Sequence, residues 1–242
     1  MIAMPAPLTR KELALCKALV ETYLAQQNLV SGFLNSLLGY IKESGDLQRV
    51  LHSTRSRMKD PDHLLDKLRR KMSKAKADGV EFDITPDNLL TKITDLGGIR
   101  ILHLHTTQIE QIDKYLKAII EEQPIELIEG PSARTWDDEY RAYFAKVGIK
   151  TQSSANLYTS VHYVIASKSR TTVTCEIQVR TLMEEVWGEV DHTLNYPHPT
   201  DSVPCHEQIR ALARSTSSAT RLVDAIFATV ADIEKKARDS KV

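Results

Sequence analysis

From Thr171 to Arg180 the chain alternates. Val173, Cys175, Ile177 and Val179 are apolar, while Thr174, Glu176, Gln178 and Arg180 are polar or charged. That period of two predicts a strand with one face in a core and the other against solvent or a ligand. Three successive outward positions spent on Glu, Gln and Arg mark the polar face as a candidate binding surface. The spacing then turns helical, with Leu182, Val186, Trp187 and Val190 on one predicted face. A strand from Tyr158 to Ser167 comes before, joined to the first across Lys168-Ser169-Arg170, which predicts a hairpin. In it Tyr158, Ser160 and His162 share one face, and Val161, Tyr163 and Ile165 the other.

The same reading extends along the chain. Residues 9–44 read as helix, with Thr9 and Glu12 spaced as a capping box, a second helical piece over Leu29–Ile41, and Gly45-Asp46 as its end. A helix follows Pro61 over residues 62–77, and then a loop with Gly79 and Pro86. Gly98 to His105 is a nearly continuous apolar run, the pattern of a strand buried on both faces. Gln108–Glu122 is a helix by its stripe of Ile109, Ile112, Leu116 and Ile119, and Ile125–Glu129 a strand. Residues 130–157 read as irregular, polar and aromatic. A long helix from about His206 to Lys236 carries Leu212, Ala219, Leu222, Val223, Ile226, Val230 and Ile233 as an apolar stripe. That stripe is expected to pack on its own domain or on the N-terminal helix, with self-association as the second option. Helices, then a strand-helix-strand core, then a hairpin, then helices describe an α+β fold, a mixed sheet flanked by helices. The expected division is an N-terminal helical segment (1–44), a core (45–197) and a C-terminal helical segment (198–242) within one structural domain.

Composition removes several classes. With 32 Lys plus Arg against 32 Asp plus Glu, the net charge is zero and supplies no long-range steering toward nucleic acid. The three cysteines are scattered without metal spacing, as in a reducing compartment. No run of 18 apolar residues occurs, and Lys11 and Glu12 interrupt the start, so the expected setting is the cytoplasm, with no membrane span.

Charge is nevertheless local. Residues 49–76 contain Arg49, Arg55, Arg57, Lys59, Lys67, Arg69, Arg70, Lys71, Lys74 and Lys76 against Asp60, Asp62 and Asp66. A polyphosphate fits such a block, although a solvated helix face has the same composition. Asp95 enters a buried strand ahead of Gly97 and Gly98, where a carboxylate can take a magnesium ion and small residues let a ligand approach. Asp191-His192 reads as helix packing. No serine or cysteine has a credible base beside it.

In order and spacing these segments resemble the synthetase domain of the RelA/SpoT family, which makes (p)ppGpp. The matching pieces are Arg57-x-Lys59 with Lys67 and Arg70-Lys71, Asp95-x-x-Gly98-Ile-Arg100, Tyr158-x-Ser160-Val-His162, Glu176-Ile-Gln178-Val-Arg180-Thr181, and Trp187 with Asp191-His192. The terminal helices look like those of its small single-domain members. The resemblance implies a nucleotidyltransferase-like fold and transfer of the β,γ-pyrophosphate of ATP to a ribose 3′-hydroxyl. It implies that Asp95 and Glu176 hold Mg²⁺, with Glu176 able to take the hydroxyl proton, and that Arg57, Lys59, Lys67 and Arg70 bind ATP. Tyr158, Asn156, Lys150, His162, Gln178 and Arg180 would then bind the acceptor. A GDP or GTP acceptor is the first expectation. A tRNA 3′ end or an adenine nucleotide, as in toxic members paired with an antitoxin, and a non-catalytic nucleotide sensor are the alternatives. A homo-oligomer is a further expected association. The chain departs from the family at Ser154 and Leu157, where the family has Lys and Gly, and Lys146 or Lys150 stands nearby as a substitute.

Overall fold

The computed structural model describes residues 7–154, 157–195 and 200–240. In chain order the elements are α1 (Arg10–Ala25), α2 (Gln27–Glu43), α3 (Gly45–Val50), β1 (Ser53–Met58), α4 (Pro61–Ala77), α5 (Leu89–Lys92), β2 (Gly97–His103), α6 (Gln108–Glu122), β3 (Ile125–Thr135), α7 (Asp138–Lys146), β4 (Lys150–Ser153), β5 (Ser160–Ser167), β6 (Thr174–Thr181), α8 (Leu182–Asn195) and α9 (Val203–Asp239). The expected capping box forms, with Thr9 and Glu12 satisfying each other's backbone amides. Asp60 caps α4, whose first residue is Pro61, so the basic block is split between a strand and a helix.

The six strands form one mixed sheet in the order β1-β2-β6-β5-β3-β4. The pairs β1/β2, β6/β5 and β5/β3 are antiparallel, and β2/β6 and β3/β4 parallel. One face is apolar: Ile99, Ile101, Cys175, Ile177, Val179, Val161, Tyr163 and Ile165 are buried in a core with residues of α1, α2, α4 and α6. Gly97 lets α2 approach this face, since a Cβ there would lie 2.9 Å from Cys175 Sγ and 3.1 Å from Val30 Cγ1.

The other face is polar from edge to edge. Register places Arg55, Arg100, Gln178, His162, Ser132 and Lys150 side by side across all six strands. Glu176 and Arg180 flank Gln178 on the same face of β6.

Several expectations change. Gln26 breaks the first helical span, and Gly45-Asp46 opens α3 instead of ending the region. Strand β1 was not anticipated, because at a sheet edge its polar run has no apolar partner face to betray it. The 130–157 segment is structured. Strand β3 continues to Thr135 through irregular pairing at Gly130, whose φ of +99° and approach to His162 O, 2.3 Å from a built Cβ, exclude a side chain. Helix α7 then buries Tyr140 and Phe144, which explains the aromatic content. Tyr158 precedes β5 instead of lying within it. On α8 the buried positions are Glu184, Glu185 and Trp187, whereas Val186 and Val190 are exposed. On α9 the buried positions are Ile209, Ala213, Thr216, Ser217 and Thr220, leaving Leu222, Ile226, Val230 and Ile233 at the surface. Among the described residues no helix is long and apolar enough to cross a membrane.

Candidate active site

Asp95 precedes β2 by two residues and receives two ammonium groups. Lys59 Nζ, from the turn between β1 and α4, donates to Oδ2 at 2.9 Å, and Lys67 Nζ, from α4, to Oδ1 at 2.7 Å. Burial by itself would raise the Asp95 carboxyl, but Lys67 and Lys59 outweigh it and hold the group down to about 2. The carboxylate is therefore ionised at any physiological pH, and both of its oxygens already face cations.

Glu176 lies beyond it on the polar sheet face, as Cα partner of Gly98. Its Oε1 is 2.8 Å from His162 Nδ1, and its Oε2 accepts from Gln178 Nε2 at 2.7 Å. Burial raises this carboxyl too. Contacts from His162 and Gln178 more than compensate, even against the charge of Asp95, and the net shift is downward. Ser160 Oγ holds the far nitrogen of His162. The β5/β6 hairpin thus brings together the residues the sequence pattern had put on facing polar sides.

A second group forms around Arg180. Its Nη2 donates to Gln178 Oε1 at 2.8 Å, and its guanidinium lies 5.2 Å from the Tyr158 ring centroid. Trp187 and His162 approach the same ring at 6.2 and 5.9 Å. Gly188 makes room for the arginine, since a Cβ there would meet Arg180 Nη1 at 2.6 Å. Glu185, 8% exposed, gathers three arginines from three strands: Arg100 at 3.0 Å and Arg55 at 3.5 Å on one oxygen, and Arg180 at 3.2 Å on the other. Glu189 adds a second carboxylate to Arg100.

Tyr158, Arg180, Arg100 and Trp187 border a cleft of about 960 Å³ whose lining also includes Arg57, Arg70, Arg134, Asp191 and Arg210. Of the site residues read from the sequence, Arg57, Arg70, Tyr158 and Arg180 line this cleft, whereas Asp95 with Lys59 and Lys67, and Glu176 with His162 and Gln178, are not among its lining residues. Lys150 is exposed on the edge strand β4, separated from His162 by β3, and does not line the cleft. Asn156 lies outside the described residues. Glu185, Glu189, Arg134 and Arg210 were not singled out in the sequence. The adjacent Glu184-Glu185 pair within the apolar first turns of the helix, Leu182 to Trp187, was the available signal for the first.

Among the described residues no group of three His, Cys, Asp or Glu side chains could hold a metal ion. Two ionised carboxylates fit the mode in which Mg²⁺ is held by one or two protein oxygens, with phosphates and water completing the shell.

The mixed six-stranded sheet flanked by helices matches the fold of solved small alarmone synthetases. Similar solved structures include small alarmone synthetase 1 from Bacillus subtilis (TM-score 0.58, 17% identity, 87% of this chain and 96% of that one). The same Bacillus subtilis protein bound to its product pppGpp gives a TM-score of 0.57 at 16% identity, with 88% and 98% covered. A GTP pyrophosphokinase family protein from Streptococcus pneumoniae gives 0.55 at 16% identity, with 86% and 92% covered. No curated protein matches the sequence at a significant level. The family model described as the region found in RelA / SpoT proteins matches residues 56–201, more than half the chain. The chain belongs to the RelA/SpoT family and is by class a nucleotide pyrophosphokinase.

Proposed function

We propose that the protein transfers the β,γ-pyrophosphate of ATP to the 3′-hydroxyl of GDP or GTP. The observation that carries this reading is the pair of ionised carboxylates, Asp95 and Glu176, the second joined through Gln178 to Arg180 on the wall of a cleft that also holds further arginines and an aromatic platform. Phosphoryl-type transfer needs cations and alignment more than a covalent nucleophile. Lys59 and Lys67 stand ready to exchange Asp95 for ATP phosphates, with Arg57 and Arg70 on the cleft wall for the rest of the nucleotide. Asp95 and Glu176 would hold Mg²⁺, which supplies neutralisation of charge on the transferred group when bound.

Glu176 is the proton acceptor for the 3′-hydroxyl, and its lowered pKa keeps it ready above mildly acidic pH. His162, backed by Ser160, and Gln178 fix its orientation. Tyr158 over Arg180 offers a stacking surface for the acceptor base. Lys150, on β4, remains an acceptor candidate for a ligand that extends past β3.

A second reading, another acceptor such as a tRNA 3′ end or an adenine nucleotide, is favoured by Ser154 and Leu157 in the lining of the cleft, the positions where the chain departs from the family pattern. The deciding assay offers labelled ATP and Mg²⁺ with GDP, GTP, ATP or deacylated tRNA. Label on GDP or GTP alone supports the proposal, and label on tRNA or ATP alone moves the acceptor. No label with any acceptor, and no effect of Glu176→Gln, would overturn catalysis altogether.

A further inference from the structure

Glu184 opens α8 with its side chain in the interior, 3% exposed. One oxygen accepts from the Thr159 amide at 3.3 Å. The other has no hydrogen-bond partner among the described residues. Glu184 also lines a small cavity of about 20 Å³ with His103, Thr106, Tyr140, Thr159, Arg180 and Thr220. That volume fits about one water molecule. A buried carboxylate this poorly satisfied works against folding, and a neutral side chain of the same shape would serve packing better. Its placement is what it gains. Thr159 is the residue between Tyr158 and β5, and Arg180, whose charge acts on Glu184, is the cation under the Tyr158 ring.

We propose that Glu184 is a positioning residue for the acceptor: from the buried side of α8 its carboxylate fixes the Tyr158–Thr159 peptide and steadies Arg180, so that the aromatic platform is held ready without Glu184 touching the ligand. The proposal rests on the reading of Tyr158 as the acceptor platform.

It makes the platform sensitive to pH. Burial pushes the Glu184 carboxyl up to about 7, against the pull of the Thr159 amide and Arg180. The other groups facing it are Arg180 of β6, His103 of β2, Tyr140 of α7, and Asp137 before α7 with its partner Arg221 of α9. His103 is pulled down to about 4 and Tyr140 pushed up to about 12, both by burial, so neither changes charge near neutrality. Protonating Glu184 withdraws charge from both the amide and the guanidinium, and the platform loosens as pH falls through 7.

Two measurements test this on the full chain. In the first, the amide proton of Thr159 is followed by nuclear magnetic resonance from pH 5.5 to 8.5, and it should titrate near pH 7 in the wild type and not in Glu184→Gln. In the second, GDP affinity is measured by calorimetry at pH 8, where Glu184→Gln should bind about fivefold more weakly, the size of one modest hydrogen bond, with ATP affinity and thermal unfolding unimpaired. Glu184→Asp should restore part of the loss. A flat Thr159 titration, or equal GDP affinity of wild type and Glu184→Gln, overturns the proposal. Turnover that fails while GDP binding still depends on Glu184 sinks only the catalytic reading.

Discussion

The Arg180 guanidinium lies 5.2 Å from the centre of the Tyr158 ring, although Arg180 is on β6 and Tyr158 is 22 positions earlier, ahead of β5. Arg180 is buried and anchored on its other sides by Gln178 and Glu185. A ring over a fixed cation is a preorganised stacking surface, with little side-chain freedom left to lose on binding. Replacing Tyr158 with Ala should weaken acceptor binding by roughly 5- to 100-fold, the range for loss of one base stack of about 1–3 kcal/mol. Tyr158→Phe should bind nearly as the wild type does, because the hydroxyl makes only a long 3.4 Å contact with Gln178. Acceptor titrations of the two variants separate these outcomes.

The acidic pair sets the second expectation. Glu176→Gln keeps the hydrogen-bonding shape but removes the base, and kcat should fall about 10²–10⁴-fold while nucleotide binding persists. Asp95→Asn should lose turnover to a similar degree, and adding a chelator to the wild type should have the same effect as either change. Steady-state kinetics with controlled Mg²⁺ checks all three.

Asp95 also links the site to stability. Its carboxyl is held at about 2 in the fold against 3.8 when unperturbed. A depressed carboxyl stabilises the fold above its unfolded value, and that contribution disappears as pH falls from about 4 through 2. It is worth about 2 kcal/mol at neutral pH. Lys67→Met should remove part of it, leaving unfolding free energy less steep with pH in that window, as urea titrations at stepped pH would show.

Glu184 works in the opposite direction. Its carboxyl is raised from 4.5 to about 7, so the fold binds a proton that the unfolded chain has released. Stability therefore declines as pH rises from about 4.5 to 7 and is flat above. Glu184→Gln should match the wild type near pH 4.5 and exceed it at pH 8 by about 3 kcal/mol, read as a higher Tm.

Glu185 should behave unlike its neighbour. It neutralises Arg100 and Arg180, which are 17% and 3% exposed at their side chains, as well as the more exposed Arg55. Breaking a buried ion pair from one side leaves uncompensated charge and costs about 3–5 kcal/mol. Glu185→Gln should lower the unfolding midpoint in urea substantially, where Glu184→Gln does not.

Elements with two distinguishable faces were legible from the chain alone. The alternation through Glu176, Gln178 and Arg180 and the facing Ser160 and His162 predicted a paired polar surface, and β5 and β6 form it. Periodicity carries that information because each side chain's direction follows from its position in the strand. Strand β1, the β3 extension and β4 were not legible, because an edge strand or a strand with irregular pairing buries too little to impose a pattern. Stripes also misled where helices pack late in the chain: α8 buries Glu184 and Glu185 and exposes Val186 and Val190.

By itself, then, the sequence determined the mixed sheet with its flanking helices, the family, and the acidic and basic residues of the polar face. Only the tertiary structure decided which charges meet. Asp95 takes Lys59 and Lys67 from 36 and 28 residues away, Glu185 collects arginines from three strands, and Glu184 turns inward behind Tyr158. A charge's partner and its burial depend on which strands and helices become neighbours, and that follows from sheet order and helix docking, not from spacing along the chain.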